Sequence, residues 1–196
     1  MTQTQLITPD NYPEIVRDYA LINSNLERAD LRGMNLSGVD FTAANLRGAD
    51  LSDAILIGAK FKKADLSRAC LIRADCTDAD FTGSDMSMSY SRGANFTRAR
   101  FWNAKLRRIT SKNAIYFDAD LRGANVFQSD FLGSRFNGAN IQDVSNVEWA
   151  VFYWYIPEGF KGRIQYRPGN GLVRLDESVT GGLSFQENAA RRYGEE

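Results

Sequence analysis

The sequence predicts an all-β solenoid, and three observations predict it. From Leu21 to Ile141 the chain reads in 25 consecutive fives without a slip. Leu or Phe holds the central position in 18 of the 25, and two places earlier 21 of 25 are Ala or Ser. The residue between them is Asp or Asn in 15 of the 25. A helix repeats its apolar residues every three or four positions and a half-buried strand every two, so a period of five fits neither. A fixed short period marks a stack of small units, none of which completes a core alone.

The run from Arg47 to Phe81, RGADLSDAILIGAKFKKADLSRACLIRADCTDADF, displays the register most plainly. With it the chain resembles the pentapeptide repeat family, whose consensus is A(D/N)LXX, over roughly Ala20 to Ser145. The resemblance implies a right-handed, four-sided β-helix of about six coils, with one five on each side and four fives per coil. The central residue would point inward, the small residue would sit inside near a corner, and the other three would face out. Coils spaced about 4.8 Å apart would give a rod roughly 30 Å long, with backbone groups paired between coils.

A twenty-residue coil predicts columns. Phe41, Phe61, Phe81 and Phe101 should form one aromatic ladder, continued by Leu121 and Ile141. A second column carries Ser91 and Ser111 in succession, which leaves a gap. Either Ile109 fills that volume, since interiors tolerate few voids, or ordered water does.

The four expected segments are an N-terminal cap over 1–20, the β-helix over 21–145, a strand and hairpin extension over 146–175, and a flexible tail over 176–196. Thr8-Pro9-Asp10 reads as a helix start, so a short helix to about Tyr19 would cover the first coil. Met34 and Val39 occupy small positions in that less crowded first coil. VEWAVFYWYIPEGF is dense in aromatic and β-branched residues and reads as strand. RIQYR and LVRL, joined around Pro168-Gly169-Asn170-Gly171, read as a hairpin.

Composition narrows the function. Lys+Arg and Asp+Glu are both 24, so net charge is zero and neither a general nucleic-acid binder nor an acidic mimic is announced. His is absent, which removes the commonest general base and metal ligand. The two cysteines, Cys70 and Cys76, are too few for a disulfide framework or a four-ligand zinc site. Cys70 stands outward beside Arg68 and Arg73. The recurring aspartates belong to the repeat rather than to a catalytic pair. No enzyme and no cofactor are expected, and no catalytic, cofactor-binding or metal residue is assigned. No signal peptide or membrane span is visible, which points to a cytoplasmic protein.

Two surface features remain. Met86 to Phe117 contains no acidic residue and carries Arg92, Arg98, Arg100, Lys105, Arg107, Arg108 and Lys112, with Trp102 among them. The map sets Lys112 on Arg92, a repulsion that an anionic partner would relieve. The other feature is apolar. Phe117, Phe127 and Leu132 occupy outward positions, and Trp149, Phe152 and Trp154 follow. Either the C-terminal segment folds over them or they join two molecules.

The leading expectation is a non-catalytic structural or protein-interaction module, with an unidentified protein partner and a possible homo-oligomer through the C-terminal end. The family also includes DNA-mimicking proteins that protect gyrase and topoisomerase. The neutral charge and basic middle depart from the acidic surface that such mimicry implies. A third reading binds nucleic acid or an acidic partner through the belt 92–112. The resemblance implies a bacterial or phage source.

Overall fold

The computed structural model of the chain describes residues 21–152, 165–167 and 171–173. The expected N-terminal helix, the segment 153–164 and the tail 176–196 lie outside the described residues.

Pairing fixes the coil at twenty residues. Asn25 pairs in parallel with Asn45, Asp30 with Asp50, and so on to Asn125 with Ser145, always twenty residues apart. Each five also contains one turn, so a coil has four sides. The sides are called first to fourth here, through the central residues Leu21, Leu26, Leu31 and Leu36 and those twenty residues on.

Most backbone N–H groups of the repeat follow one scheme. The central Leu26 N–H donates to Asn45 C=O at 2.7 Å, and the corner Arg28 N–H donates to Arg47 C=O at 2.9 Å, both on the following coil. Asn45 N–H donates back to Ser24 C=O at 2.9 Å. The small residue closes the turn, as where Ala29 N–H donates to Leu26 C=O at 3.0 Å. That leaves the N–H just after the central residue. In all 15 fives with Asp or Asn before the centre, that side chain's Oδ1 accepts it. The recurring Asp/Asn is thus an Asx turn repeated around the coil, completing a set of donors that water would otherwise have to serve.

The corner residue, two after the centre, has positive φ in every five, from 52° at Asn103 to 73° at Gly133. Positive φ at the third turn residue is the type II signature. None of the 25 corner residues is β-branched, as the sterics of that region demand.

The core fills as the columns predict. Phe41, Phe61, Phe81 and Phe101 stack with ring centroids 4.9–5.0 Å apart and interplanar angles of 3–5°. A second ladder, Phe96, Tyr116 and Phe136, runs up the fourth side with spacings of 5.0 and 4.7 Å. Edge-on contacts join the ladders, as between Phe81 and Phe96 at 5.8 Å.

The serine gap is filled in a third way, from the neighbouring side. Ser91 donates to Ser111 at 2.9 Å, and Ser111 bonds the Tyr116 hydroxyl at 2.7 Å, all three residues being fully buried. The phenol of Tyr116 reaches into the space two missing leucines would occupy and supplies the polar partner too. Ile109 is also buried there. Burial pushes the Tyr116 phenol pKa well up, against hydrogen bonds from Ser111 and Ser91.

The coil continues past Ser145. Val147–Trp149 forms a single 3-10 turn, where the sequence predicted strand. Asn146, at φ 60°, starts it, and the extra residue makes the next pairing twenty-one apart, Asp130 with Val151. A turn at this point takes up the inserted residue while Val147 and Ala150 stay buried. Strands β1 (Gln165–Arg167) and β2 (Gly171–Val173) pair antiparallel, which is the predicted hairpin.

Candidate interaction surface

The structure divides the predicted basic belt into neutralised and unneutralised charges. Arg98 grips Asp78 with two bonds of 2.7 and 2.6 Å, and the bond from Arg98 holds the Asp78 carboxyl below its usual pKa. Lys105 reaches Asp85 at 3.3 Å, and Arg100 lies 3.9 Å from Asp80. Burial alone would raise Asp80, but hydrogen bonds from Thr82 and the nearby Lys62 keep it below its usual value. Lys112 does not press on Arg92. Its ammonium turns to Asp130 on the following coil at 3.0 Å. Among the described residues Arg92, Arg107 and Arg108 make no ion pair.

The aromatic candidates divide in the same way. Trp102 lies under the Arg122 guanidinium, 4.3 Å from the ring, while Arg122 also grips Asp120 at 2.7 Å. Half-buried Phe117 is covered by Arg135 at 5.1 Å. Leu132 is half-buried on the third side. Phe152 is 3% exposed and stacks on Phe131 at 5.2 Å, so it belongs to the core and offers no surface. Trp154 lies outside the described residues. Phe127 is half-buried on the second side, flanked by Arg107 at 5.7 Å and Trp149 at 6.0 Å. Trp149 is 57% exposed. The structure therefore brings Arg107, Phe127 and Trp149 together, and it scatters Arg98, Arg100 and Trp102 onto other sides.

Sequence reasoning missed one column. The corner between the second and third sides carries Arg28, Gly48, Arg68, Met88, Arg108 and Gln128. Arg28, Arg68 and Arg108 are exposed and form no ion pair among the described residues. Beside this corner, on the third side, Tyr90 is 52% exposed. Reading every twentieth residue would have exposed the column; reading a charge run along the chain conceals it.

The belt also departs from the scaffold. Tyr90, Arg100, Lys105, Thr110 and Ile115 stand where Asp or Asn would cap the turn, so five of six fives from Tyr90 to Ile115 lack the Asx bond. Cys70 is half-exposed with its Sγ 3.0 Å from Ser52 Oγ, while Cys76 is buried and its thiol pKa is pushed well up by desolvation. No group of three or more Cys, Asp or Glu among the described residues could hold a metal ion. No helix among them is long and apolar enough to cross a membrane.

A family model described as pentapeptide repeats matches the chain in eight copies, over residues 20–53, 35–73, 74–110 and 117–145. No curated protein sequence matches it. Solved structures similar to it include HetL, a pentapeptide repeat protein involved in heterocyst differentiation regulation in the cyanobacterium Nostoc sp. strain PCC 7120. That match has 22% identity over 68% of this chain and 76% of HetL, with a TM-score of 0.30. Trypsin-treated QnrB1, a plasmid-mediated fluoroquinolone resistance protein, matches at 22% identity over 65% of this chain and 74% of its own, with a TM-score of 0.38. A pentapeptide repeat protein of the Arabidopsis thaliana thylakoid lumen shares 36% identity over 58% of this chain and 69% of its own, with a TM-score of 0.20.

Proposed function

The chain belongs to the pentapeptide repeat family, and from that premise we propose that it is a non-catalytic interaction module. Its right-handed, four-sided β-helix is the frame, and the coils around 86–117 with the adjoining C-terminal end meet the partner. One observation carries this reading. Five of the six fives from Tyr90 to Ile115 lack the Asx bond, whereas fourteen of the other nineteen fives have the Asp or Asn that makes it, the exceptions being Ala20, Ile55, Lys60, Cys70 and Arg135. Sequences that break their own local rule in one region do so most often where function competes with folding. The replacements are Tyr, Arg, Lys, Thr and Ile, side chains suited to contact rather than to capping.

The test is affinity capture from host lysate, with and without nuclease. The full chain is run beside a variant with Arg92, Arg107, Arg108 and Lys112 changed to Glu. Specific partners retained by the wild type and lost by the variant are expected. Identical eluates from the two baits would overturn the reading. The unpaired Arg92, Arg107 and Arg108 favour an anionic partner, nucleic acid or acidic protein, and loss on nuclease treatment selects the former. Gyrase or topoisomerase subunits in the eluate would favour the protective role of DNA-mimicking relatives, which the neutral charge otherwise disfavours.

A further inference from the structure

Resting on that reading, we propose that the corner between the second and third sides binds single-stranded nucleic acid. Arg68 and Arg108 stand two coils apart on one straight edge, roughly 10 Å at strand spacing. Arg28 extends the same line, and its side-chain stem lies 3.6 Å from where a Cβ on Gly48 would stand. A glycine on the intervening coil thus lets the arginine run along the edge. None of the three is neutralised by a carboxylate among the described residues, unlike Arg73 and Arg98 at the other corners. The edge is therefore a line of available guanidinium groups rather than a ladder of ion pairs.

Aromatic surface flanks the same edge on both sides. Tyr90 and Trp149 are the most exposed large apolar side chains among the described residues. Tyr90 lies on the third side, next to the corner. Trp149 extends Phe127 on the second side, with Arg107 against the other end of the pair. A cationic track bordered by exposed rings is the arrangement that holds a single strand, with phosphates on the charges and unpaired bases on the ring faces. An acidic peptide would use the arginines and leave Tyr90 and Trp149 without a stacking partner. A duplex keeps its bases stacked inside and would do the same. The charge complementarity and the aromatic exposure together select the single strand.

The experiment is fluorescence anisotropy of a labelled oligothymidine titrated with the full chain at several salt concentrations. Thermal melts check that each variant is folded. Binding that weakens with salt is expected, and Arg68→Ala and Arg108→Ala should each flatten the logarithmic salt slope by roughly 0.7. Tyr90→Ala and Trp149→Ala should each weaken binding roughly fivefold or more, with the slope unchanged. The matching duplex should bind more weakly. No binding at low salt, binding indifferent to these four substitutions, or equal affinity for the duplex would each overturn the proposal. A nuclease-resistant protein captured through the same surface would leave the interaction-module reading standing while this one fails.

Discussion

Asp75 shows what the residue before each central position does. Its Oδ1 accepts Thr77 N–H at 3.1 Å and the Thr77 hydroxyl at 2.6 Å, and Asn95 reaches it from the following coil at 3.3 Å. The first bond serves a backbone donor that the coil-to-coil pairing omits. An acceptor is needed here, and a charge is not. Asp75→Ala should therefore lower stability by about 1 kcal/mol or somewhat more, as expected for a lost hydrogen bond with an orphaned donor. Asp75→Asn keeps the oxygen and should lose much less. Urea denaturation midpoints of the two variants decide the matter, and equal losses would mean that charge, not the Asx bond, governs the position.

The turn is the element that makes a side into a coil, and its corner residue carries the conformational demand. Gly38 and Gly138 both hold the left-handed conformation, at φ 71° and 72°. A Cβ on Gly38 would meet nothing within 4 Å, while one on Gly138 would run into Asp118 Oδ1 from the preceding coil. Gly38→Ala should thus cost only the left-handed penalty, about 1–2 kcal/mol. Gly138→Ala should cost measurably more, because the Asp118 side chain must also move. Thermal midpoints give the comparison, and a smaller loss at Gly138 would contradict it. Much of this element was legible beforehand. The fives follow from local spacing, and the twenty-residue columns with their phenylalanine ladder follow once the family resemblance supplies four fives per coil. The Tyr116 phenol beside Ser111 was not legible, because it joins neighbouring sides and depends on how far a side chain reaches. The 3-10 turn at Val147–Trp149 was also hidden, since one inserted residue disturbs the register while the composition still favours strand. The candidate surface was legible only as a charge run. Which of its cations are free depends on Asp78, Asp85 and Asp130, each on an adjoining coil.

At the scale of the whole molecule, carboxylates held below their usual pKa make the stack sensitive to acid. Asp40, Asp53, Asp78, Asp80, Asp85 and Asp120 all have pKa values below the usual carboxylate value. At Asp53 and Asp78 the arginine of the following coil is the main cause. At Asp80 and Asp85 burial pulls the other way and is outweighed by hydrogen bonds from Thr82, Ser87 and neighbouring lysines. A group whose pKa is lower folded than unfolded binds fewer protons in the native state. Its contribution is whole above the unfolded value, near pH 4, and is lost as pH falls through the lower folded value. Surface pairs such as Arg73–Asp53 contribute little each and are screened by salt. Asp80, with 8% of its surface exposed, should carry a larger share. The thermal midpoint should therefore hold steady from pH 7 to about pH 5 and fall steeply below about pH 4. Asp80→Asn removes that site's titration, so the variant should start lower at pH 7 and show a shallower acid decline. A wild-type midpoint unchanged at pH 3 would show that backbone pairing and apolar columns hold the coils together without the carboxylates, and a decline equally steep in the variant would show that Asp80 carries no special share.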